Sequence, residues 1–110
     1  MNISCSHLWC FWSFCTTSRK AFYDLSNGEV LVAAGRHADA AVMYLRCALL
    51  HSDATSAPGA CIEAALIHRD ALDRPADARR LLLRAASLAD RLGQDDVAER
   101  ARDLLQTTSG

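Results

Sequence analysis

From residue 36 onward, apolar residues return at steps of three and four, the period of a helix with one buried stripe. Over residues 37–50 the stripe reads Ala38, Ala41, Val42, Leu45, Ala48 and Leu49. Over residues 75–92 it reads Ala78, Leu81, Leu82, Ala85, Leu88, Ala89 and Leu92, with Arg80, Arg84, Ser87 and Arg91 opposite. Residues 95–106 carry a third stripe of Val97, Ala98, Ala101, Leu104 and Leu105, and Asp96 and Arg100 are spaced for an ion pair along it. The segment from Ala60 to Leu72 differs. Ile62, Ala65 and Leu66 mark one side and Cys61, Ala64 and His68 the next, so this helix is expected to lie between two neighbours.

Breaks separate these helices. Gly35 and Gly93 interrupt the pattern, and residues 52–59 read as a loop with Pro58-Gly59 near its end. Asn27-Gly28 is either a turn signal or a glycine at a close contact. Asp73 is placed to cap the helix that follows, with Pro75 in its first turn, where a missing N–H costs nothing. Residues 107–110 are expected to fray as a tail.

The chain also repeats itself. Shifted by 38, residues 36–50 fall on residues 74–88 with 8 of 15 positions identical, among them Ala40/Ala78, Arg46/Arg84, Ala48/Ala86 and Leu50/Leu88. A period between 20 and 50 residues is the mark of stacked supersecondary units. Helices that alternate between one-sided and sandwiched, joined by short breaks, suit a stack of αα-hairpins. Small residues at matching places let such helices approach closely.

At these residues the chain resembles the tetratricopeptide repeat family of bacterial type. That pattern sets a small residue and then an aromatic in the first helix, and Ala-x3-aromatic in the second. Gly28 and Leu31, then Ala40 and Tyr44, stand at those places in the first unit. Leu66, Arg69, Ala78 and Leu82 stand at them in the second. Gly35-Arg36-His37-Ala38-Asp39-Ala40 is similar to the turn between helices in that family. The second unit lacks the small residue and the aromatic, and the period is 38 rather than the usual 34. The resemblance spans residues 21–106 and implies an all-α, short αα-hairpin solenoid: about two repeats and a C-terminal capping helix. Its packing signature would be Gly28, Ala40, Tyr44, Ala48, Ala78, Leu82 and Ala86.

Composition separates the N-terminal segment, residues 1–20, from the repeat region. Residues 1–18 contain no Asp, Glu, Lys or Arg, yet hold both tryptophans (Trp9, Trp12), Phe11, Phe14, Cys5, Cys10 and Cys15. The apolar run from Leu8 to Cys15 falls short of the ~20 residues a membrane helix needs, and Arg19 and Lys20 follow it where a signal peptide would have them first. Three readings stay open: an interfacial anchor, an arm packed on the first hairpin, or a start placed too early. Arginine outnumbers lysine 11 to 1, as in the proteins of a GC-rich genome. Net charge is -1, which gives no global pull toward nucleic acid. Five cysteines without zinc spacing point to reduced thiols and a cytoplasmic setting, with membrane association only through residues 1–18.

Candidate chemistry is sparse. Cys47 and His51, four apart on one helix, have metal-ligand spacing. Cys61 and His68 lie roughly 10 Å apart by helical rise, too far to share an ion. Small core thiols and an imidazole at a helix end account for these residues without metal. His37 sits in the turn with no nucleophile or acid in evident reach. Arg79, Arg80, Arg84 and Arg91 form a basic ridge, but Asp77 and Asp90 are interleaved and no aromatic is, which suits a solvated face. No catalytic residue, metal or cofactor is expected. The resemblance implies a non-catalytic protein-interaction scaffold that takes a peptide or partner helix on its first helices. Asn27, Leu31, Glu63, Arg69 and Arg102 are the contact candidates. The alternative is a membrane-attached accessory module of a bacterial envelope complex, anchored through the N-terminal segment. Two units fall below the three that usually stabilise a stack, so a homodimer is a further expectation.

Overall fold

The structure is a computed structural model, and it describes residues 24–108. The N-terminal segment, with the three readings of it, and the last two residues of the tail lie outside the described residues. Five helices and no strand make up what is described, so the fold is all-α. They are α1 (24–33), α2 (His37–Leu50), α3 (Ala57–Asp70), α4 (Pro75–Arg91) and α5 (Asp95–Thr107). From α2 onward each helix packs on the next in sequence, and α3 also touches α5. Helices adjacent in sequence are thus adjacent in space.

Alanine makes the packing tight. One core cluster joins Ala48 of α2, Cys61, Ile62 and Ala65 of α3, Ala78, Leu82, Ala85 and Ala86 of α4, and Ala101 of α5. The other joins Ala40, Ala41, Tyr44 and Cys47 of α2 to Ala60, Ala64 and Ile67 of α3, with Leu25 and Leu31 of α1 against it. Two opposite sides of α3 feed the two clusters, so α3 is sandwiched as expected, although Cys61 lies on the side of Ile62 and Ala65 and not on that of Ala64. With methyl groups at most crossings, the backbones can lie at the short end of helix–helix separations. Partly buried Leu81 packs against both clusters and ties them together.

Three helix junctions pass through a left-handed residue, two of them with the same hydrogen bonds; after α3 the Arg74 N–H instead reaches the His68 carbonyl at 2.6 Å. Gly35 and Gly93 take positive φ (80° and 74°), and Asp73, 38 residues after Gly35, takes φ 53°. The next residues, Arg36, Arg74 and Gln94, have nearly the same backbone angles and precede α2, α4 and α5. After α1 the Arg36 N–H reaches the Leu31 carbonyl at 2.8 Å and the Gly35 N–H reaches Val32 at 3.0 Å. After α4 the Gln94 N–H reaches Ala89 at 2.8 Å and the Gly93 N–H reaches Asp90 at 3.2 Å. Both are Schellman closures, which satisfy carbonyls that a helix end leaves open. Aspartate is among the few side chains that enter this region at modest cost, which is why Asp73 can replace glycine.

Four details differ from the sequence reading. The buried stripe of α2 is Ala40, Ala41, Tyr44, Cys47 and Ala48, while Ala38, Val42 and Leu49 are exposed. The stripe is rotated because α2 turns Tyr44 toward α1, and the larger aliphatics point outward. Asp73 is not the cap of α4: it fills the left-handed position, and Arg74 stands at the N-cap without a side-chain hydrogen bond. Pro58 and Gly59 belong to the first turn of α3, so the loop ends at Ser56. The tail is held through Thr108, which is 2% exposed. Its backbone N–H and hydroxyl both donate to the Leu104 carbonyl (3.0 and 2.8 Å), and its own carbonyl accepts from Arg79 at 3.0 Å.

Candidate functional site

A groove of about 350 Å³ runs between α1, the start of α2 and α3. Glu29 and Val32 of α1, His37 and Tyr44 of α2, and Glu63, Leu66, Ile67 and Asp70 of α3 line it, with Ala71 at its end. On α3 the steps from Glu63 to Leu66, Ile67 and Asp70 are three, four and seven, one face of a helix. Glu29 and Val32 are likewise three apart on α1. The groove therefore lies between one face of α1 and one face of α3, and both apolar side chains and carboxylates line it.

Tyr44 forms part of its floor. Position 28 must be glycine for the ring to sit there: a Cβ on Gly28 would stand 2.9 Å from Cζ and 3.1 Å from both Cε atoms. The side chain is 5% exposed, yet its hydroxyl makes no hydrogen bond to a described residue. Burial raises the phenol pKa above its ordinary 10.0, and the carboxylates of Glu63 and Glu29 raise it further. Two negative charges thus bear on one poorly solvated hydroxyl.

The third carboxylate is already engaged. Asp70 accepts from Arg69 Nε at 2.8 Å and Nη2 at 3.1 Å, a two-point contact that holds its carboxyl below the usual range. Among the described residues Glu29 and Glu63 have no ion-pair partner. A second hollow of about 330 Å³ adjoins at His37 and Ala71, with the Arg36–Asp39 ion pair (2.6 Å) in its wall.

Of the contact candidates read from the sequence, Glu63 lines the groove. Asn27 lies on α1, half-buried, outside the lining. Leu31 packs into the core. Arg69 stands beside the groove and enters it only through its hold on Asp70. Arg102 is on α5 and pairs with Asp90 of α4, away from the groove. The structure does not bring the five together. Positions 63 and 69 are six apart, which puts them on different faces of α3. Glu29, Val32, Leu66 and Asp70 were missed as groove residues, although the Glu63/Leu66/Ile67/Asp70 stripe was there to be read.

The remaining candidate groups have structural surroundings. His51 Nε2 lies 3.2 Å from Oδ2 of buried Asp24, and Arg46 approaches the same carboxylate at 3.8 Å, so α2 holds the start of the described α1. The Cys47 thiol meets the Ser56 hydroxyl at 3.6 Å, and Cys61 donates to the Leu81 carbonyl at 3.1 Å. Burial pushes both thiols up, Cys61 to about 11. Such thiols are poor nucleophiles and poor metal ligands. Among the described residues no group of three or more His, Cys, Asp or Glu side chains could hold a metal ion, and no helix is long and apolar enough to cross a membrane. From the basic ridge, Arg79 is bound to the Leu105 and Thr108 carbonyls at the end of α5 and Arg80 pairs with Asp77 at 3.6 Å, while Arg84 and Arg91 are exposed.

Comparison with family models, curated proteins and solved structures yields no match to this chain.

Proposed function

We propose that the chain is a non-catalytic protein-interaction scaffold of tetratricopeptide type, a short αα-hairpin solenoid that captures a peptide or partner helix. The groove between α1 and α3 carries this reading. It has the concavity and mixed lining of a recognition site, with apolar side chains and a few polar groups to orient a ligand. Its two long walls are the first helices of successive hairpins, where extended ligands lie in repeat stacks. The repeated left-handed position at residues 35 and 73, the 38-residue period and the Gly28–Tyr44 contact support the hairpin assignment. The second helices supply the alanine skeleton, with Ala40 and Ala78 each fully buried.

The test blocks the groove without disturbing the core. Val32 is 37% exposed on α1, so Val32→Trp fills the space from an exposed position. Partners captured by the intact chain should be lost on V32W and kept on Arg84→Glu, a change on the exposed outer face of α4. Partners that survive V32W would place recognition elsewhere and overturn this assignment.

A further inference from the structure

The groove has an unbalanced charge that its own residues do not settle. Asp70 is paired with Arg69, but Glu29 on α1 and Glu63 on α3 are in no ion pair with a described residue, and His37 is the one basic side chain that the described lining adds. Tyr44 lines the same groove, near enough for both carboxylates to raise its pKa, and its hydroxyl makes no hydrogen bond to a described residue. That hydroxyl can accept a hydrogen bond as well as donate one.

Val32, Leu66 and Ile67 complete the lining. Apolar side chains, two carboxylates and a hydroxyl acceptor match a long aliphatic stem that ends in a cation. Lysine and arginine have that form: their stems lie on apolar surface while the head stays with polar partners. A free acid or a phosphorylated residue would meet two like charges. A wholly apolar side chain would desolvate the carboxylates with nothing in return.

We propose that the groove binds a peptide segment of a partner protein through a lysine or arginine side chain flanked by an apolar residue. The cationic head sits between Glu29 and Glu63 with Tyr44 as acceptor, and the stem lies over Val32 and Leu66. This specificity rests on the scaffold reading above and adds the chemistry of the ligand to it.

The test is a selection from a random dodecapeptide library on the intact, immobilised chain, repeated on E29Q/E63Q and on V32W. The expected peptides carry Lys or Arg next to an apolar residue and weaken as salt is raised. They lose about fivefold in affinity per carboxylate removed, roughly 25-fold on the double variant, and fail on V32W. The E29Q/E63Q chain must also remain folded. In a Tyr23→Phe background, leaving Tyr44 as the one phenol, its titration should move to lower pH because both carboxylates that raise it are gone. Peptides that fail on V32W but lack a base, or that ignore E29Q/E63Q, would overturn the cation proposal and leave the scaffold reading standing. A library that yields no groove-dependent binder would overturn both. Self-association of the wild-type chain, abolished by V32W in sedimentation, would make a second copy the occupant and also overturn the proposal.

Discussion

The first hairpin (α1 and α2) and the second (α3 and α4) share a backbone plan and differ in what they hang on it. Ala40, Leu45, Arg46 and Ala48 recur as Ala78, Leu83, Arg84 and Ala86. The left-handed position recurs too, at 35 and again at 73, although the hydrogen bonds around it differ. Other contrasts lie in the side chains. Gly28 faces Tyr44 in the first hairpin, where Leu66 and Leu82 stand at the same places in the second. The outer face changes as well: Val42, 53% exposed, corresponds to exposed Arg80. A repeat can thus keep its second-helix skeleton while its first helices and outer faces diverge. Here the divergence gives one hairpin a purely aliphatic contact and the other a glycine-backed ring that lines a groove.

If the second hairpin depends on its aliphatic contact, Leu82→Ala should be the most damaging change. Leu82 is 1% exposed in the core, and its truncation should cost about 3 kcal/mol in urea unfolding. Tyr44→Phe, at the corresponding place, should stay within ~0.5 kcal/mol, because the hydroxyl it removes has no bond to a described residue. A loss of more than ~1.5 kcal/mol for Y44F would mean that the phenol is structural after all.

The Gly28–Tyr44 contact can be broken from the other side. Gly28→Val places carbon atoms where the ring is, and should cost about 2 kcal/mol. In a Tyr44→Leu background that penalty should largely vanish. A penalty that persists would locate the crowding somewhere other than the ring.

Cys61 stands 38 residues before Glu99 of α5, and its thiol, like that of buried Cys47, has a pKa raised by burial. For Cys61 the folded value of about 11 exceeds 9.0, so folding favours the protonated thiol. Its contribution is complete below pH 9 and is lost as pH climbs to about 11, a fall of up to ~2 kcal/mol. Denaturation measured across that range should show a steeper decline for the wild type than for Cys61→Ala. Identical slopes would contradict the desolvation of this thiol.

The smallest effect concerns the turns. Gly35 occupies the left-handed position without strain, whereas Asp73 occupies it with a side chain. Asp73→Gly should therefore stabilise the protein by about 0.5 kcal/mol, visible as a small rise in Tm. A loss of stability would show that the Asp73 side chain contributes more than its backbone position suggests.

Much of the fold was legible because helical periodicity and the 38-residue echo are local signals. The α4 and α5 stripes and the two-sided character of α3 agree with the observed burial. Phase was harder where side-chain size misled. In α2 the large aliphatics Val42 and Leu49 look like core, yet the buried face carries Ala40, Ala41, Tyr44, Cys47 and Ala48. Asp73 looked like a cap because caps and left-handed positions both favour aspartate. In the groove, Glu63 is among the residues the sequence points to, while Glu29 and Asp70 are not. A carboxylate acquires meaning from the wall across from it, and the α1–α3 juxtaposition is a tertiary fact that no single helix announces.

The proposed assignment of recognition to the groove between α1 and α3 is most directly tested with one lysine-bearing peptide recovered from the library selection. Its affinity should be measured by calorimetry on the wild type, on V32W and on R84E. Binding abolished by V32W and unchanged by R84E is the predicted result. Binding that survives V32W and is lost on R84E would move recognition to the outer face of α4 and contradict the account.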